Sequence, residues 1–127
     1  MKKKILVVVD DAYVRTLAVK ILNGRGYLAL PAVDAWQAMD QLQRQSIDLI
    51  ILDLRMPGPV DGEQLLFALR DQGSDVPVIV LSGWVDDDTR SAPPDCVHAV
   101  LKKPIMIDSF ADTVASVLGE AQAILSS

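Results

Sequence analysis

Five polar residues in this chain stand just after short apolar runs. Asp10 and Asp11 follow residues 5–9, Asp53 follows 47–52, Ser82 follows 76–81, and Lys103 lies just past 97–101. If those runs are strands of one parallel sheet, their carboxyl ends share an edge, and three carboxylates, a hydroxyl and an ammonium meet in one shallow cleft. Three neighbouring carboxylates repel one another unless a cation intervenes. Oxygen-only ligation completed by water is what Mg²⁺ accepts. Lys103 supplies a further positive charge and Ser82 a hydrogen-bond donor, and a phosphoryl group in transfer can use both. The pattern points to a divalent ion acting together with an anionic group of phosphoryl type.

The elements that must position these residues are legible in the apolar spacing. Residues 5–9, 47–52, 76–81 and, more weakly, 97–101 are continuous apolar runs rich in β-branched side chains, as expected of strands buried on both faces. Residues 27–31 make a fifth, with Pro31 at a strand end or on an edge strand. Between them, Val14, Leu17, Ala18, Ile21 and Leu22 repeat at helical spacing, and Asn23-Gly24 and Gly26 should end that helix. Asp34 with Gln37 predicts a cap ahead of residues 35–45, and Asp61 with Gln64 another ahead of Leu65, Leu66 and Leu69. Asp108 is expected to cap a last helix with Phe110, Val114, Val117, Leu118, Ala121 and Leu125 on its apolar face, with Gly119 inside it at a cost of about 1 kcal/mol. A helix over 86–96 should be short or irregular because of Pro93-Pro94. Strands alternating with helices predict an α/β fold, a doubly wound parallel sheet with helices on both faces. Such sheets bind ligands beyond their carboxyl ends, where strand order reverses.

Composition bounds the function. The chain has 127 residues, 12 Lys+Arg against 17 Asp+Glu and a net charge of -5, which suits one domain over residues 1–127 and disfavours direct nucleic-acid binding through a basic face. A single cysteine, Cys96, allows neither a disulfide framework nor a thiolate cluster within the chain and suits a reducing cytoplasm. The apolar run after Lys2-Lys3-Lys4 ends within five residues, too short to target or to span a membrane.

Taken singly, each feature has a plainer reading. Asp10-Asp11 could be a helix N-cap, Asp53 a turn residue, Ser82-Gly83 an ordinary turn pair and Lys103 a solvated charge beside Lys102. Together, Asp10-Asp11, Leu52-Asp53-Leu54-Arg55-Met56-Pro57-Gly58, Ser82-Gly83 and Lys103-Pro104 resemble the marks of the response-regulator receiver domain of two-component signalling, in that family's order and over nearly the whole chain. The resemblance implies a flavodoxin-like five-stranded sheet of order 2-1-3-4-5. It makes Asp53 the phosphoryl acceptor and gives Mg²⁺ to Asp11, Asp53 and the Arg55 backbone carbonyl, with Asp10 acting largely through metal-bound water. Ser82 would turn toward the new phosphoryl oxygen. Lys103 would pair first with Asp53 and then with the phosphoryl group. The donor would be a phosphohistidine on a sensor histidine kinase or phosphotransfer protein, and the outcome a change in partner binding. Such a domain is a switch that assists its own phosphorylation and dephosphorylation, not an enzyme acting on other substrates.

The chain also departs from that pattern. Val100 stands where receivers usually carry Tyr or Phe, and the loop over 56–62 is one residue longer than usual. Arg55 and Trp84, two past the acceptor and two past Ser82, are large rim residues expected to restrict hydrolytic water and lengthen the phosphorylated state. His98, the only histidine, reads as a surface or partly buried residue, Cys96 as a gap filler and Trp36 as a packing residue on the second helix. Two alternatives accompany the switch. One is a regulatory receiver within a longer protein with a DNA-binding or enzymatic output. The other is a Mg²⁺-dependent phosphatase with an aspartyl-phosphate intermediate, although the second aspartate such enzymes need two past the nucleophile is Arg55 here.

Overall fold

A run such as Leu49-Ile50-Ile51-Leu52 offers no polar face, so as a strand it is stable only where both sides of its sheet are covered. The computed structural model describes residues 2–53, 62–71, 76–82, 97–102 and 106–119. Among them, β1 (Lys4–Val8), β2 (Leu28–Ala32), β3 (Leu49–Asp53), β4 (Val78–Ser82) and β5 (Val97–Lys102) form one sheet in the order β2-β1-β3-β4-β5, every pair parallel. The described helices are α1 (Ala12–Gly24), α2 (Ala35–Arg44), α3 (Gly62–Asp71) and α4 (Ile107–Val117). None is long and apolar enough to cross a membrane.

Alternation along the strands divides the core into two layers. Leu6, Val8, Ile50, Leu52, Val78 and Val80 pack with Ala35, Ala38, Leu65 and Leu69 of α2 and α3. Ile5, Val7, Val9, Leu49, Ile51, Ile79 and Leu81 pack with Ala18, Leu22, Phe110, Ala111 and Val114 of α1 and α4. The sheet is thus covered on both faces, as the apolar runs require, and its polar groups are left to the strand ends.

Local chemistry sets where the elements stop. At the end of α1, Gly26 adopts φ 93°, its N–H donates to the Asn23 carbonyl, and the Tyr27 N–H donates to the Leu22 carbonyl. These two bonds satisfy helix-end carbonyls with a left-handed glycine, as expected from the sequence. They also hold Tyr27 out of β2, which begins one residue later than the apolar run. Asn23 Oδ1 accepts from the Ala29 N–H at 3.1 Å and ties the helix end to that strand. Pro31 lies in β2, on the sheet edge, where its missing N–H leaves no ladder bond broken on the open side. Asp34 caps α2, accepting from the Gln37 N–H at 2.9 Å, while Gln37 Oε1 accepts from Val33 rather than from Asp34.

Four expectations are corrected. Asp108 does not cap α4: the N-cap is Met106, without a side-chain bond, and the Phe110 N–H already donates to the Met106 carbonyl. Asp108 sits in the first turn, where its charge favours the helix dipole and it meets Arg25, the C-cap of α1, at 3.5 Å. Gly119 is not a helix-interior residue, because α4 ends at Val117 and Gly119 follows with φ 81°. Trp36 does not pack; it is 64% exposed, because Ala35, Ala38, Met39 and Leu42 already fill the sheet-facing side of α2. Ile47 and Val76 lie outside their strands. The Asp48 N–H donates to the Lys4 carbonyl and the Ile50 N–H to the Pro77 carbonyl, so pairing begins later than the apolar runs do. The expected irregular helix over 86–96, the Asp61 cap and the long loop over 56–62 lie outside the described residues.

The two glycines at the end of α1 should respond in opposite ways to alanine. No heavy atom lies within 4 Å of a Cβ added at either, so only backbone conformation decides. Gly26→Ala should lower unfolding free energy by about 1–2 kcal/mol, whereas Gly24→Ala, in helical backbone, should be neutral or stabilising by up to about 1 kcal/mol. Urea unfolding of both variants checks this, and equal losses would refute the left-handed cap.

Candidate functional site

The strand order reverses between β1 and β3: from β1 the chain moves outward to β2, and from β3 outward through β4 to β5. The crevice at their carboxyl ends is the default ligand position of this architecture. Asp53 ends β3 and is 3% exposed, the one buried charged side chain among the described residues. It shares its sheet face with Leu49 and Ile51, on the α1/α4 side. Its register partner on β4 is Leu81. On the other side the β1–β3 register pairs Val8 with Leu52, and one further step along it sets Val9, fully buried, beside Asp53. A carboxylate flanked in register by a valine and a leucine is costly in a sheet built only for stability.

The loop from β1 to α1 carries the acidic pair, and its two members differ. Asp11 is the N-cap of α1: Oδ1 accepts from the Tyr13 N–H at 2.9 Å and from the Val14 N–H at 3.2 Å. The N-cap reading therefore holds for Asp11, and it draws on Oδ1 alone. Asp10 makes no such bond, and its carboxylate is exposed at the strand end. Its backbone is fixed instead, because Arg15 Nη1 donates to the Val9 carbonyl at 2.8 Å and to the Asp10 carbonyl at 2.9 Å. Arg15, one turn into α1, was not singled out by the sequence. The signal available was a cation four residues past an acidic pair, which reaches back over the first helical turn.

Among the described residues no three of His, Cys, Asp or Glu stand together so as to hold a metal ion. Mg²⁺ needs only one or two carboxylates when waters and a substrate phosphate complete its shell, so two aspartates at the β1/β3 edge still fit it.

Ser82 is the last residue of β4 and Lys102 its register partner on β5. The sequence did not foretell how that pairing arises. Val78 pairs with Val97 but Ile79 with Ala99, so His98 is an extra residue in β5 and shifts everything after it by one. Without that bulge Leu101, not Lys102, would stand beside Ser82. Val100 lies in β5 opposite Val80. Lys103, Arg55, Trp84 and Cys96 lie outside the described residues.

Fold and site together define a class: a doubly wound domain of order 2-1-3-4-5 with a buried aspartate and an acidic loop at its switch point. Residues 5–115 match the response regulator receiver domain family, and the chain belongs to it, as a receiver domain of two-component signalling. Sporulation initiation phosphotransferase F of Bacillus subtilis is 29% identical over 93% of this chain and 95% of its own length. The sensor kinase CckA of Brucella abortus is 34% identical over 90% of this chain, which spans only 12% of that protein. The crystal structure of the NtrX receiver domain from Brucella abortus aligns with a TM-score of 0.84 at 29% identity, over 91% of this chain and 98% of that one.

The Arg15 clamp should matter more than a surface ion pair. Arg15→Met, which removes two charge-assisted bonds to the loop, should cost about 1–2 kcal/mol. Arg44→Met, which loses only the exposed pair with Asp40 at 2.9 Å, should cost at most about 0.5 kcal/mol. Chemical unfolding of both variants measures the difference, and equal costs would show that the clamp contributes nothing.

Proposed function

We propose that Asp53 is the phosphoryl acceptor, and the observation that carries this reading is its burial at the end of β3 beside the acidic β1–α1 loop. A carboxylate oxygen of Asp53 attacks phosphorus in line, the new O–P bond forms, and the bond from phosphorus to the donor breaks. The donor chemistry is a phosphohistidine on a sensor kinase or phosphotransfer protein. Lys103 pairs with Asp53 before transfer and with the phosphoryl group afterwards, and Ser82 donates its hydroxyl proton to a phosphoryl oxygen. Asp11, Asp53 and the Arg55 backbone carbonyl would hold Mg²⁺, with Asp10 acting through its water, and the ion would supply positive charge against that developing on the phosphoryl oxygens. Phosphorylation changes function only through partners that bind the two states unequally. The domain helps load and unload its own phosphate and turns over no other substrate. Its acidic composition and single cysteine suit the cytoplasm.

A second reading, a receiver serving as the regulatory part of a longer protein, is favoured by the sensor kinase in which the matching stretch is 12% of the length. The chemistry at Asp53 is the same in both.

Incubation with Mg²⁺ and a small phosphodonor should add one phosphoryl group to the parent, read by intact mass, and none to Asp53→Asn. Equal uptake by the variant, or none by the parent, would remove the assignment. Arg55→Ala and Trp84→Ala should each lose the phosphate several-fold faster than the parent, and unchanged or slower loss would end their role as shields against water.

A further inference from the structure

A guanidinium bound only to neutral carbonyls keeps its charge uncompensated. Arg15 Nη1 donates to the Val9 carbonyl at 2.8 Å and to the Asp10 carbonyl at 2.9 Å, and among the described residues Arg15 forms no ion pair. We propose that Arg15 adapts the entrance of the site to an anionic phosphodonor: held at the end of β1, its charge draws a doubly charged donor toward Asp53. This rests on the phosphoryl-acceptor reading and names a selectivity residue for it.

The end of β1 explains why the side chain is held there. β2 ends at Ala32, whose carbonyl accepts from the Val9 N–H at 3.2 Å. The Val9 carbonyl points to the same side as its N–H, past the end of β2, and Arg15 stands where a further strand residue would donate. The guanidinium is therefore fixed by backbone and half-buried, so its field is screened less than that of a free side chain. Neighbouring strands lie about 4.8 Å apart, which sets a group on the β2 side of β1 about 10 Å from the end of β3, near the Debye length at about 0.1 M salt. The exposed carboxylates of Asp10 and Asp11 stand at the same edge, in a chain of net charge -5. Without Arg15 the approach to Asp53 is more repulsive to an anion. One fixed charge at that range changes the loading rate of a doubly charged donor about two- to threefold, and that of a singly charged donor less.

Acetyl phosphate, doubly charged near neutral pH, and phosphoramidate, singly charged, are the probes. The bond from phosphorus to the acetate oxygen or to nitrogen breaks as the bond to Asp53 forms, releasing acetate or ammonia. Initial rates of uptake are read by intact mass at saturating Mg²⁺ for the parent, Arg15→Lys and Arg15→Gln, in about 0.1 M and about 1 M salt, with melting temperatures taken alongside. Both substitutions weaken the clamp and should melt lower, but only glutamine removes the charge. Arg15→Gln should load from acetyl phosphate about two- to threefold more slowly than the parent at the lower salt. Its deficit should be smaller with phosphoramidate and should vanish at about 1 M, where the Debye length is about 3 Å. Arg15→Lys should recover the parent's loading rate despite its lower melting temperature. If Arg15→Gln matches the parent at the lower salt, if its deficit ignores salt and donor charge, or if Arg15→Lys falls equally, Arg15 is only structural and the inference is overturned. Normal loading of the parent in that case leaves the acceptor reading standing. A parent that takes up no phosphate overturns that reading and the inference with it.

Discussion

Carrying a carboxylate into the interior of a parallel sheet has a free-energy cost that the rest of the chain must offset. Asp53 ends a strand whose other four residues are all fully buried apolar side chains. Desolvating its charge costs several kcal/mol after relaxation. Each aliphatic side chain buried in β1, β3 and β4 returns about 1.5–3 kcal/mol, so the two-layer core can hold one such residue where the crossovers leave the strand ends open. The same burial makes the residue useful, since charge developing there is met by few competing waters. The order β2-β1-β3-β4-β5 then decides which chemistry reaches it: β1 brings acids from one side, and β4 brings Ser82 from the other.

Much of this arrangement was readable before the fold was known. Continuous apolar runs marked every strand to within about two residues, Pro31 marked the edge, Gly26 marked the left-handed helix end, and the Asp34–Gln37 spacing marked a cap. Each of these signals is a local demand of backbone geometry or burial. What escaped depended on contacts distant in sequence or on a choice between equivalent residues. Lys4 pairs with Asp48 across the chain, through the Asp48 carboxylate at 2.8 Å and the Asp48 N–H, and no local pattern announces it. The extra residue at His98 is visible only against β4. Asp108 and Met106 competed for one helix start, and the apolar face of α4 is served by the earlier one. At the site, the residue types were legible as a set, but their division of labour was not.

The β1–α1 junction explains why. Within three residues the backbone changes from strand to helix, and each position inherits a different constraint. Val9 still obeys the strand's alternation and belongs to the core beside Ile5 and Val7. Asp11 already belongs to the helix, whose first N–H groups need an acceptor. Only Asp10 is bound by neither rule. Asp11 at this junction answers the helix with Oδ1 alone, and its charge stays at the strand end.

The carboxylates at this edge also set the balance between the two ions the site must admit. A phosphoryl group arrives with negative charge, and each free carboxylate that strengthens the hold on a divalent cation also repels that group, with comparable dependence on distance and dielectric. Arg15 places a guanidinium over the strand end, bound to the Val9 and Asp10 carbonyls, and balances part of the negative charge at the entrance. The chain thereby gives up part of its attraction for a cation and lowers the barrier to an incoming phosphoryl group. That trade fits a domain whose acceptor is buried, since the anion must pass the exposed loop before it can reach Asp53.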